Sequence, residues 1–279
     1  MWETKSPLMC REKPSYMAII DGTGPGDNLD YDLTLINSFC SQLSKKFGGS
    51  GFYQRGPKWH GKDTVTYGEN AAQILCNAQM SQDARLFLAG YSRGGSSALV
   101  AAEALNKKNI PVSGIILFDP VAKHGGDAVV KMPANVESSL ILTRDENPEF
   151  VKKYARTIKD LPALALKLRP ELNLVSYLPG LESIDNPIRP GWGIKFENLT
   201  NICSPNHQYY QILGSHGALG GSGWTDKNGE VYVEEDVAAQ QKALNYTNSI
   251  LRQWGLADKT ISVLPHNACF PGTRKSLPR

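Results

Sequence analysis

The sequence carries little net charge: 30 basic against 27 acidic residues leave +3 over 279 residues. No basic run exceeds a few residues, so no nucleic-acid partner is expected, and the basic Thr273–Arg279 reads as a solvated tail. Cysteine is scarce. Cys10, Cys40, Cys76, Cys203 and Cys269 are odd in number and include no close pair. That leaves no metal-ligand spacing and argues against a disulfide framework at this size, so they read as small buried thiols. No apolar run approaches a membrane span. The N-terminal Met1-Trp2-Glu3-Thr4-Lys5 meets charge before any apolar core, so no secretory signal is expected. A chain cytoplasmic as synthesised is the expectation, with export by a signal-independent route left open. There is no internal repeat and no low-complexity tract.

Cofactor fingerprints are missing as well. Asp21-Gly22-Thr23-Gly24-Pro25-Gly26 follows an apolar run, yet its glycine spacing is wrong for dinucleotide binding. It also has no Lys-Ser/Thr pair for a phosphate-binding loop. Neither a cofactor nor a metal is expected. The loop reads either as one whose backbone N–H groups can face a ligand or as a plain turn before the next helix.

What is present is an ordinary globular composition, 41% hydrophobic and 20% charged, in a chain long enough for a large core. One domain over 1–279 is the simplest reading. Short apolar runs at Tyr16–Ile20, Phe52–Arg55, Arg85–Ala89, Pro111–Phe118, Glu137–Thr143 and Gln208–Leu213 read as strands. Helical patterns fall between them at Tyr31–Lys46, Thr66–Met80 and up to Lys107, with a last helix at Val237–Trp254. This alternation predicts an α/β fold, a mostly parallel central sheet with helices on both faces. Residues 150–201 are too long for a simple connection, with Pro170–Pro190 proline-marked and irregular, and they read as a lid or substrate-binding insertion, or as a surface elaboration with no role. Leu161, Leu164, Leu166 and Leu168 in it read either as lipid-facing or as a helix face packed on the core. A hairpin is expected around Asp226–Gly229.

The chemistry centres on Gly90-Tyr91-Ser92-Arg93-Gly94, between a buried-strand run and a helix of small residues. That is the context a nucleophile elbow requires, and it would hold the Ser92 hydroxyl above the carboxyl edge of the sheet. A serine needs a base, and the base an orienting acid. Of five histidines, His216 alone lies late, directly after a strand and in a glycine-rich loop. His60 and His207 fall upstream of the sheet end needed, His124 follows Asp119 too closely to serve with it, and His266 sits in the tail. Asp119 and Asp145 each end a strand after the Ser92 helix, and either fits the order serine, acid, histidine.

Asp21-Gly22-Thr23, Gly90-Tyr91-Ser92-Arg93-Gly94, Phe118-Asp119-Pro120-Val121 and His216 with Gly220-Gly221 occur in that order. Together they resemble the α/β-hydrolase family that includes the type VI secretion phospholipase effectors. The Asp-Pro-Val is also similar to the neutral lipases of the pancreatic type. The resemblance spans islands between residues 16 and 255. It implies an α/β-hydrolase fold and a triad of Ser92, Asp119 and His216, with Asp145 as the alternative acid. The backbone N–H of Arg93, and one from Gly22 or Thr23, would then form the oxyanion hole. Tyr91 and Gly95 stand where that family more often has Phe and Ala, and Pro120 where it has Thr. The implied activity is hydrolysis of carboxylic esters, lipid or phospholipid acyl esters among them, with transient membrane-surface contact. A secreted antibacterial phospholipase toxin and a catalytically silent binding protein are the alternatives.

Overall fold

The computed structural model describes residues 13–23, 35, 38–58, 61–82, 84–122, 128–145, 194–196, 206–214, 216–221 and 234–262. The elements are β1 (Ser15–Ile20), α1 (Phe39–Phe47), β2 (Gly51–Gln54), α2 (Thr64–Gln82), β3 (Arg85–Tyr91), α3 (Arg93–Asn106) and β4 (Gly114–Phe118). Next come β5 (Ala128–Val130), β6 (Ser139–Arg144), β7 (Ile194–Phe196), β8 (His207–Ile212), α4 (His216–Gly220) and α5 (Glu234–Gln253).

Six strands form one sheet in the order β2-β1-β3-β4-β6-β8, and every pair is parallel. Parallel pairs need crossovers, and the helices supply them. The near-continuous apolar strands reflect burial on both faces. Their side chains alternate: Met17, Ile19, Phe87, Ala89, Ile116, Phe118, Leu140 and Leu142 pack with α1 and α5. Ala18, Ile20, Leu86, Leu88, Ile115, Leu117 and Ile141 pack with α2 and α3 on the other face. A period of two sends neighbours to opposite sides, so each strand glues both helical layers to one sheet. Trp254, just beyond α5, closes one layer: its ring lies 5.2 Å from that of Phe87 and its indole N–H donates to Ser138 Oγ at 2.9 Å.

Helix α3 crosses β1 at very short range. A β-carbon on Gly94 would sit 2.2 Å from the Ile20 carbonyl oxygen and 2.3 Å from that of Asp21. Both atoms are backbone and cannot swing aside. Gly94→Ala is therefore expected to lower stability by about 3 kcal/mol, the upper range for overpacking, read from the urea midpoint. Gly49→Ala, where a β-carbon meets nothing within 4 Å, is the control expected to stay near wild type.

Two sequence expectations differ from the structure. Residues 194–196 fall in the stretch read as an irregular insertion, yet they form β7, paired in parallel with β5 as a separate two-stranded sheet. Three-residue strands are too short to show a periodicity. The Ile194 N–H donates to the Pro120 carbonyl at 3.0 Å, which docks β7 against the end of β4. His216 was expected in a loop, whereas it opens α4, a helix of five residues. The remainder of the insertion, the four leucines, the start of the Tyr31 helix and the Asp226–Gly229 hairpin lie outside the described residues.

Candidate active site

Strand β3 runs straight into α3, and Ser92 is the residue between them. Its backbone sits at φ 56°, ψ −128°, a conformation that side-chain-bearing residues avoid. Such strain costs on the order of 1–3 kcal/mol and persists only where surroundings fix it. Here the Ser92 N–H donates to the Phe118 carbonyl at 3.0 Å. Its own carbonyl accepts from Gly95 N–H at 2.9 Å and Val121 N–H at 3.0 Å. The turn is thus held by β4 on one side and by its own helix on the other.

Gly95 and Pro120, two of the departures from the family pattern, pack on each other. A β-carbon at 95 would lie 2.7 Å from Pro120 Cβ. The smaller residue on the helix makes room for the ring after the strand end.

Asp119 ends β4 with φ 40°, the left-handed turn that aspartate tolerates better than most residues. Its carboxylate is buried and accepts from His216 Nδ1 at 2.6 Å, from Arg144 Nε at 2.5 Å and from the Arg144 backbone N–H at 3.2 Å. Burial pushes the Asp119 carboxyl up, but the Arg144 charge and the His216 contact outweigh it and hold it below the usual range. The acid is ionised, so Nδ1 carries the proton and Nε2 is the basic nitrogen. Burial lowers the His216 pKa; Asp119 opposes this, while Arg144 and Arg93 add to it, and the net shift is downward.

Tyr91 ties the histidine to the elbow. Its ring lies 4.8 Å from the imidazole and its hydroxyl donates to the His216 carbonyl at 3.2 Å. On its other flanks the ring fills the space that β-carbons would need at Gly22 and Gly220. Gly22 in turn faces the nucleophile, its notional β-carbon 3.5 Å from Ser92 Cβ. Ser92, Asp119, His216, Arg93 and Gly22 therefore gather at the carboxyl edge of the sheet, where open α/β folds place their ligand sites.

No protein-family model matches the sequence, and no curated protein matches it significantly. Among solved structures it is similar to a YdeN-like hydrolase from Pectobacterium atrosepticum, at 13% identity and a TM-score of 0.30. That match covers 48% of this chain and 65% of the other, so the chain spans about two thirds of that neighbour's length. The type II thioesterase YbtT of the yersiniabactin pathway matches at 14% identity, over 88% of this chain and 96% of that one, with a TM-score of 0.37. The thioesterase RedJ of the prodiginine pathway in Streptomyces coelicolor matches at 15% identity, over 78% and 84%, with a TM-score of 0.34. Likeness at this level assigns the chain to no family. The strand order, the strained serine turn and the later Asp and His ends carry the fold on their own. The fold is α/β-hydrolase-like.

The two candidate acids have different surroundings. Asp119 holds the imidazole, whereas Asp145 continues the β6–β8 ladder with its N–H on the Ile212 carbonyl at 2.9 Å. Of the two loop candidates for the oxyanion, the Gly22 N–H donates to Asp21 Oδ1 at 2.8 Å. Thr23 is the next residue, and its Oγ1 is buried with no hydrogen-bond partner among the described residues. The Arg93 side chain is 5% exposed, and burial lowers its guanidinium pKa.

Sequence reasoning missed three residues of this neighbourhood. Arg144 was visible only as a neighbour of Asp145, Tyr91 only as a departure from Phe, and Asp21 as the head of a glycine-rich loop and of the Asp-Gly-Thr motif, with no role of its own. A serine–histidine hydrogen bond occurs elsewhere in the sheet, Ser139 Oγ to His207 Nδ1 at 3.0 Å. Both residues begin their strands, at the amino edge of the sheet and so at the opposite end from Ser92, and Ser139 is fully buried. His60, His124 and His266 lie outside the described residues, and no group of metal-ligating side chains occurs among the described ones. No helix among them is long and apolar enough to cross a membrane.

Proposed function

We propose that the chain is a serine hydrolase that cleaves carboxylic esters through an acyl-enzyme, with Ser92 as nucleophile, His216 as base and Asp119 as orienting acid. The observation that carries the reading is the pairing of a strained serine turn with a buried aspartate–histidine contact of 2.6 Å at the same sheet edge. A backbone forced to φ 56° at a serine is difficult to account for unless the hydroxyl must be presented.

In the first half-reaction the Ser92 oxygen bonds to the ester carbonyl carbon while its proton passes to His216 Nε2. The carbonyl oxygen becomes an oxyanion, met by the Arg93 backbone N–H and by a donor from Thr23. Collapse breaks the carbon–oxygen bond to the alcohol, which leaves with the proton from His216. Water then adds to the acyl carbon, His216 takes its proton and returns it to Ser92, and the carboxylic acid departs. Asp119 stays ionised throughout and stabilises the imidazolium. The finer substrate, a lipid or phospholipid acyl ester reached by transient contact with a membrane surface, is supported by the motif resemblance.

A fluorophosphonate is expected to label Ser92, located by peptide mapping. Its rate should rise with pH along a limb centred below 6.5, because His216 loses its proton earlier than an ordinary histidine. Absence of labelling would leave the silent binding protein. Phospholipid vesicles compared with a soluble p-nitrophenyl ester then decide the substrate class.

A further inference from the structure

Two carboxylates are buried among the described residues, and the reaction above uses one. Asp119 serves His216. Asp21 lies at the end of β1, fully buried, and takes no part in proton transfer.

Its contacts show what it holds. Oδ1 accepts the Gly22 N–H at 2.8 Å. Oδ2 accepts the Ser38 hydroxyl at 2.5 Å and the Tyr53 hydroxyl at 2.9 Å. Ser38 is itself the cap of α1, its Oγ accepting the Ser41 N–H at 2.9 Å. One carboxylate thus joins the end of β1, the edge strand β2 and the start of α1. The backbone beside it is closely approached: a β-carbon at Gly94 or Gly56 would meet the Asp21 carbonyl, and one at Gly22 would meet the Tyr91 ring. Burial raises its pKa to about 6 despite these three hydrogen bonds, so an ionised carboxylate here is a burden on the fold. A group kept at such cost has a task that packing alone does not supply.

The consequence falls on the next residue. With the Gly22 N–H turned onto Asp21, the donor left to the loop at this point is Thr23, whose hydroxyl is buried without a partner among the described residues. A buried hydroxyl left open one residue from a glycine that faces the nucleophile is poised for an oxygen that is not yet there.

We propose that Asp21 is a positioning residue of the hydrolytic site, one that locks Gly22 out of the oxyanion hole and presents Thr23, by its N–H and its hydroxyl, as the second donor. The proposal rests on the serine-hydrolase reading above.

The test is a double-mutant cycle on a soluble p-nitrophenyl ester, with fluorophosphonate labelling of the wild type run alongside. Asp21→Asn keeps an acceptor for Gly22 but cannot accept from both Ser38 and Tyr53. It is expected to lower kcat about tenfold with KM within twofold. Thr23→Val is expected to lower kcat about a hundredfold, and Thr23→Ser to restore most of it. Because Asp21 acts through Thr23, adding Asp21→Asn to Thr23→Val should cost less than twofold more. Full kcat in folded Asp21→Asn, or losses that simply multiply in the double variant, would overturn the proposal while the hydrolase reading stood. Should Asp21→Asn fail to fold, Tyr53→Phe, which removes one hydroxyl from the edge strand, takes its place. It is expected to lower kcat two- to fivefold with KM unchanged, and unchanged kcat overturns the proposal. A wild type that neither labels nor turns over would sink both.

Discussion

Ser92→Ala is expected to reduce ester turnover by a factor on the order of 10⁴ to 10⁶. Losing the oxygen removes the covalent path altogether; the residual rate would come from the oxyanion donors and substrate binding alone. The measurement is steady-state hydrolysis of a soluble ester, with the unfolding midpoint recorded on the same preparation. The two readouts should part company. Alanine keeps a β-carbon, so the strain at φ 56° remains and stability should stay near wild type. Ser92→Gly relieves that strain and should gain about 1–3 kcal/mol while being equally inactive. An alanine variant that still hydrolyses ester at the wild-type rate would remove Ser92 from the chemistry.

Asp119→Asn should be nearly as damaging, for a different reason. The amide would donate to His216 Nδ1, leaving the imidazole proton on Nε2, the nitrogen that must receive the serine proton. A wrong tautomer at this position costs about 10⁴ in kcat. Stability should fall too, because Arg144, only 10% exposed, loses its carboxylate partner at 2.5 Å. Breaking a buried pair from one side costs about 3–5 kcal/mol. The pH dependence carries a signature. Asp119 is held below the usual 3.8, so its contribution is complete above that value and is lost as pH falls through the lowered folded pKa. Denaturation scans of wild type and Asp119→Asn should therefore converge in acid and diverge above it; parallel curves would mean that the ion pair does not stabilise the fold.

The parts of this site that local chemistry dictates were legible in the sequence. Apolar runs of strand length and the Gly-x-Ser-x-Gly turn marked β3 and Ser92, because a period of two and a crowded turn leave a residue-level trace. What depends on distant parts of the chain left none. The contact that sets Asp119 apart from Asp145 involves an imidazole 97 residues away. Tyr91 read as a departure in a motif, yet its hydroxyl reaches a carbonyl 125 residues on. Gly95 and Pro120 read as two separate departures and are one packing event. Strand β7 was invisible because three residues carry no periodicity and its partner β5 lies more than sixty positions earlier. Asp21 sat in plain view within a loop, but nothing local reveals that its carboxylate faces inward.

The parallel pairing has a temporal consequence. β1 must wait for β3, 70 positions later at the Ser15–Arg85 match, and β6 must wait for β8, 68 positions later at the Ser139–His207 match. Such remote pairings close slowly, since chain entropy is lost before the contacts form. The serine turn needs only residues through β4, whereas the imidazole arrives after β8. In a chain emerging from its N-terminus, the Ser92 turn is therefore expected to form before the His216 segment can join it. On refolding, formation of the Asp119–His216 contact should lag behind burial of the β1–β3–β4 core.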